Sequence, residues 1–345
     1  MAFGKPKSRK IDSDHLPGPI ATSYRRIFTR HEPDVERLMF VLETAEITAR
    51  FLCAVVLCTL RELAQQGKTE PPLVDLGDAR VRLKKPSFGL WMEILREGSR
   101  RLHGNEDWFT DDAARTLAME VCAFVFDERK KTKGRPYADL ESILVIRNKV
   151  HHPEEELDIP SLCEQAETLI NQALTQLQFF ENFTPYVVKQ INLRDRRMST
   201  AEYQHQCFLL QGEIDFPTAE SDQRNWHTET NEVLIYRSDT SYLNLDPLFV
   251  FIHADDIDKS KLAAGKDGEK LYPGMYCFAG YASKSSGPVV DYLPCASSTS
   301  SFRTSNEAFR DPDMTSCLNR GIEELLQLLE KSQLAETPAP TAAEE

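Results

Sequence analysis

The spacing of apolar residues changes at Thr184-Pro185, and this change restricts the fold more than any other feature of the chain. Before it, hydrophobes recur every three or four residues, the period of a helix with a buried face. After it come short β-branched and aromatic runs separated by turn residues, the pattern of strands. A chain that keeps the two kinds of segment apart belongs to the α+β class. The expected organisation is an N-terminal all-α bundle over 15–184, a small antiparallel β domain over 185–310 and a C-terminal helix over 311–333. Residues 1–14 and 334–345 read as disordered tails, one basic, the other Ala/Pro/Glu-rich. With 345 residues, both parts are large enough for a core.

Within the bundle, Leu16-Pro17-Gly18-Pro19-Ile20 reads as an extended lead-in that passes through Tyr24, Arg25 and Arg26. A long helix then starts near Pro33, with a stripe running from Val35 through Leu42, Ala49 and Val56 to Leu63 and closing at Gly67. Glu46 lies on that stripe between Leu42 and Ala49, an unusual place for a carboxylate. Further helices are expected over about 90–102 and 111–127. A last long one is signalled by Ser161 and Glu164, a capping-box pair. The β part should contain strands at 186–193, 206–214, 232–237, 242–252, 275–282 and 289–294, with Ser238-Asp239-Thr240-Ser241 as its clearest hairpin turn.

Composition excludes several functions. No apolar run reaches the roughly 20 residues of a membrane span. Met1–Lys10 is basic and lacks the apolar core of a secretory signal, so the expected location is the cytoplasm. The eight cysteines are scattered with no Cys-x-x-Cys pair and no zinc-like His spacing, which predicts reduced, buried thiols and no metal or cofactor. A net charge of −13 argues against a protein that coats duplex nucleic acid, yet leaves room for a local basic site. Arg129, Lys130, Lys131, Lys133 and Arg135 form such a site, in a loop before the next helix.

That helix, Leu140 to Pro153, carries the most distinctive chemistry. Its stripe runs Leu140, Ile143, Leu144 and then meets Arg147 where another hydrophobe is expected, with His151 one turn later. Placing a cation on a buried stripe costs several kcal/mol, roughly, unless partners compensate. Pro153 disfavours helical geometry at His152, so this imidazole should sit where the helix ends, near Arg147 and Asn148. One reading is structural, with Arg147 pairing with Glu46 across the bundle; the other is catalytic.

The run Arg147-Asn148-x-x-x-His152, at the exit of a bundle's penultimate helix, resembles the signature of the HEPN superfamily (higher eukaryotes and prokaryotes nucleotide-binding domains). The resemblance covers about residues 16 to 183. It implies a metal-independent ribonuclease that works as a homodimer, often a toxin or antiviral effector, although some members serve only as binding modules. On that resemblance Arg147 and His152 match the catalytic pair and Asn148 the polar residue, with His151 in reserve because it shares Arg147's helix face. The implied reaction is attack of a ribose 2′-OH on the adjacent phosphate of RNA. His152 would move the proton and Arg147 hold the phosphate. The alternative is a non-catalytic helical dimer, a protein-interaction or ligand-sensing subunit of a larger assembly, with the β domain contacting a protein partner.

Other motifs carry less. Gly67-Lys68-Thr69 lacks the upstream Gly of a phosphate loop, since Glu62 stands there. Asp255, Asp256 and Asp258 lack the Gly and closing Glu of a calcium loop. The β-domain aromatics, among them Tyr236, Tyr242, Phe249, Phe251, Tyr276, Phe278 and Tyr292, fall among Leu, Ile and Val and read as core.

Overall fold

The computed structural model describes residues 11–126, 136–153, 156–194, 202–212, 219–224, 232–238, 241–258, 272–284, 287–295, 302–304 and 309–330. The architecture is α+β: an N-terminal helical region, two antiparallel sheets and a C-terminal helix. No described helix is long and apolar enough to cross a membrane.

The helical region contains α1 (Gly18–Ile27), α2 (Val35–Gln65), α3 (Ala79–Arg82), α4 (Phe88–His103), α5 (Asp112–Phe126), α6 (Pro136–His151) and α7 (Ile159–Thr175). The organising element is α2, 31 residues long, whose N-cap Asp34 accepts the amide of Arg37 at 2.8 Å. Its stripe is wider than the sequence pattern suggested. From Ile47 to Leu60 every residue is buried, and Arg50 is the one charge in that run. A helix apolar on all sides belongs at the centre of a fold, and α1, α4, α5, α6, α7 and the sheets surround it.

Two helix starts differ from expectation. The segment at 16–20 is a helix opening rather than an extended lead-in, because Pro19 falls in the first turn, where a missing N–H costs nothing. Through it Tyr24 becomes buried, and its hydroxyl donates to Oδ1 of Asn171 at 2.6 Å. At α7 the cap is Asp158, which accepts the amide of Ser161 at 3.2 Å, so Ser161 already lies inside the helix.

The first sheet contains β1 (Pro185–Arg194), β2 (Glu202–Leu209), β3 (Ala219–Arg224), β4 (Val233–Ser238) and β5 (Ser241–Asn244), in the order β3-β2-β1-β4-β5. The second contains β6 (Phe249–Ile252), β7 (Gly274–Lys284), β8 (Gly287–Pro294) and β9 (Phe302–Arg303), in that order. The expected strand 242–252 is two strands, one in each sheet, parted around Asp246-Pro247. Proline cannot donate to a ladder and marks the break. Ser238 and Ser241, which flank the expected hairpin turn, are paired between β4 and β5, and residues 239–240 of that turn lie outside the described residues. The strand expected at 206–214 lies earlier, ending at Leu209. β3, Ala-Glu-Ser-Asp-Gln-Arg, is an edge strand with no apolar alternation to announce it.

The sheets and the helices share apolar packing. Phe51 of α2 makes edge contacts with Phe180, at 5.5 Å between ring centres, and with Phe249 of β6, at 5.2 Å. Trp91 of α4 meets Phe278 of β7 at 6.3 Å. The C-terminal helix α8 (Pro312–Leu329) buries Leu318, Ile322, Leu325, Leu326 and Leu329. It is tied back to the 66–87 connection by the amide of Leu73, which donates to the Leu328 carbonyl at 2.8 Å.

Candidate functional site

α6 holds the Arg/His motif, and its geometry divides the motif between two faces. The helix runs to His151, and the amide of His152 still donates to the Asn148 carbonyl at 2.9 Å. Pro153 therefore does not end the helix early enough to swing His152 toward Arg147. At about 100° per residue, His152 stands above Asn148 and His151 above Arg147. Asn148, His151 and His152 are exposed. Among the described residues, no side-chain hydrogen bond or ion pair joins these four to one another. One chain thus presents two half-sets, a guanidinium with one imidazole and an amide with the other.

Arg147 approaches α2. Its Nη2 lies 3.5 Å from Oε2 of Glu46, and its side chain stays 27% exposed. The closer partner of Glu46 is Arg50, one turn along α2, at 2.6 Å. Arg50 is the more deeply held cation: its Nη1 donates to the Phe278 carbonyl at 2.9 Å, and its guanidinium lies 5.6 Å from the Trp91 ring centre. Glu46 keeps a partner whether or not Arg147 is present. Asp139, in the first turn of α6, is buried, and desolvation pushes its carboxyl up to about 6.

Beside Glu46 and Arg50 a cavity of about 170 Å³ opens between α1, α2 and the second sheet, lined also by Arg26, Glu43, Cys277 and Cys295. Arg26 pairs with Glu43 at 2.8 Å, and burial still holds the Glu43 carboxyl above its usual range. A larger cavity of about 720 Å³ lies where α2, β5 and α8 meet, with Arg61, Glu62, Asp246, Arg320 and Glu324 in its wall. Arg61, Glu62 and Asp246 are engaged by the fold. Arg61 donates to the carbonyls of Asp246 and Asn244 at 2.6 and 3.0 Å, and Glu62 accepts from the buried Arg237 at 2.8 Å.

The basic residues Arg129, Lys130, Lys131, Lys133 and Arg135 lie outside the described residues. Of the eight cysteines, seven are buried free thiols and Cys317 is exposed. No cluster of three or more His, Cys, Asp or Glu among the described residues is placed to hold a metal ion. Arg50 and the Cys277/Cys295 pair were not singled out from sequence. The i, i+4 spacing of Glu46 and Arg50 inside an apolar run was a visible signal for the arginine. The cysteines meet only through strand register, which sequence spacing does not reveal. Compared with known proteins, this chain matches no family model, no curated protein and no solved structure.

Proposed function

We propose that the chain is a metal-independent endoribonuclease of the HEPN type, with Arg147 as the phosphate-binding group and His152 as the acid/base. The observation that carries this reading is the division of labour at Glu46. Arg50 satisfies that carboxylate, which leaves Arg147 a partly exposed guanidinium beside two exposed imidazoles at one helix end. A guanidinium can neutralise charge developing on phosphate, and an imidazole can move the 2′-OH proton near neutral pH. The products would be a cyclic phosphate and a 5′-OH. Because Arg147 and His152 face different ways on α6, a two-fold partner would supply the complementary half-set, and Asn148 would orient the phosphate or the imidazole.

The test is incubation of wild type and His152→Ala with total tRNA and a labelled single strand in EDTA, reading product ends. Cleavage by wild type alone, with cyclic-phosphate ends, supports the reading. Cleavage that survives in His152→Ala but stops in His151→Ala moves the role to the neighbouring imidazole. No cleavage by any form turns the reading toward a non-catalytic interaction module. That second reading has its own support in the 3.5 Å approach of Arg147 to Glu46.

A further inference from the structure

β7 and β8 run antiparallel with Cys277 opposite Leu293 and Tyr276 opposite Pro294, so Cys295 follows two residues after Cys277's partner. Alternation along the strands puts Cys277, Leu293 and Cys295 on one face. The amide of Cys295 donates to the Met275 carbonyl at 2.9 Å, which keeps the chain in register past the end of β8. Nη1 of Arg50 lies 3.8 Å from the Cys277 sulfur. Both sulfurs belong to the wall of the 170 Å³ cavity.

We propose that Cys277 and Cys295 form an oxidisable dithiol that accepts a small hydroperoxide from this cavity and closes to a disulfide. Two features set Cys277 apart from an inert buried thiol. The neighbouring Cys295 thiol draws its titration below the usual thiol range, against the effect of burial, and the Arg50 charge adds to this. Cys295 moves the other way, held up by burial and by the neighbouring Cys277. Cys53 supplies the contrast: its thiol donates to the Trp91 carbonyl at 2.8 Å, and burial raises it well above the usual range.

In the first step the Cys277 thiolate attacks one peroxide oxygen. The O–O bond breaks, a sulfenic acid forms, and the departing alkoxide or hydroxide takes a proton to leave as alcohol or water. In the second step the Cys295 thiol displaces water from the sulfenic acid and the S–S bond forms. Overall, two thiols and one hydroperoxide give one disulfide, one alcohol or water from the peroxide, and one further water. Nothing in this chemistry requires RNA.

The experiment treats the reduced full-length chain with hydrogen peroxide, quenches at intervals with an alkylating agent under denaturing conditions, and maps the peptides. Exposed Cys317 serves as the internal comparison. Cys277 and Cys295 should lose alkylation together, about tenfold faster than Cys317, and appear as one linked peptide. In Cys295→Ser, Cys277 should stop at a sulfenic acid captured by dimedone. If both cysteines stay alkylatable while Cys317 oxidises, or if Cys277 pairs with some other thiol, the proposal is overturned. Should Cys295→Ser fail to fold, the wild-type map decides alone.

Discussion

Arg147 and Arg50 sit one helix apart, reach the same carboxylate and differ in what their loss would do. Removing Arg147 leaves Glu46 with Arg50, so Arg147→Ala should cost less than about 1 kcal/mol, in the range of a partly exposed ion pair. Removing Arg50 leaves Glu46 only the longer approach of Arg147 and takes the donor from the buried Phe278 carbonyl, so Arg50→Met should cost more, about 1–3 kcal/mol. Urea denaturation of the two variants measures both, and a large loss for Arg147→Ala would return that residue to a structural role. Asp139 supplies a pH test. Its carboxyl titrates at about 6 when folded, against 3.8 for the free group, so folding takes up a proton between those values. Its contribution is favourable below about pH 4 and is lost as pH rises through 6. Asp139→Asn should therefore stabilise the fold by up to about 3 kcal/mol at pH 8 and leave it unchanged near pH 4. The Arg/His motif was legible at this scale because it is contiguous in sequence; the Arg50–Cys277 contact joins residues far apart in the chain, and no local pattern marks it.

Elements were legible in proportion to how strongly burial patterned them. α2, α4 and α5 announce themselves by period, and Ser238 and Ser241 mark where β4 and β5 pair. β3 escaped because an edge strand of polar residues owes its shape to the β2 ladder rather than to its own side chains. α1 escaped because prolines at a helix start look like prolines in a loop. β7 depends on one backbone detail. Its register against β8 shifts between Phe278 and Gly280, and Gly280 has φ of 150°, with the Lys84 carbonyl lying where a Cβ would stand. Gly280→Ala should lower stability by about 2–4 kcal/mol, read as a fall in the urea midpoint, whereas Gly67→Ala meets no neighbour and should cost only its local strain.

At the scale of the molecule, the helices and sheets share one apolar core in which Phe51 touches both. A fragment ending at Thr184 would uncover Phe51 and Trp91, which meet Phe249 and Phe278, so residues 15–184 alone should aggregate or remain loosely packed. The intact chain should unfold in a single calorimetric transition, and two resolved transitions would show that the halves are independent. The change of period at Thr184 was legible as a change of secondary structure. It carried no information on whether the halves pack together, because that depends on which face of α2 the second sheet covers.

The bonds that α2 sends across this boundary treat the two sides unequally. Arg50 donates to the carbonyl of Phe278, and Arg61 to those of Asn244 and Asp246, so these three acceptors are main chain, whereas Glu62 and Arg237 meet side chain to side chain. A carbonyl is the same atom whatever side chain follows it. The sheets can therefore change residue at 244, 246 or 278 and keep these bonds, while the helix can change neither arginine without losing them. Sequence drift at these three positions should be one-sided, with the sheets free to change there and the two arginines of α2 held in place, while Glu62 and Arg237 can change only together.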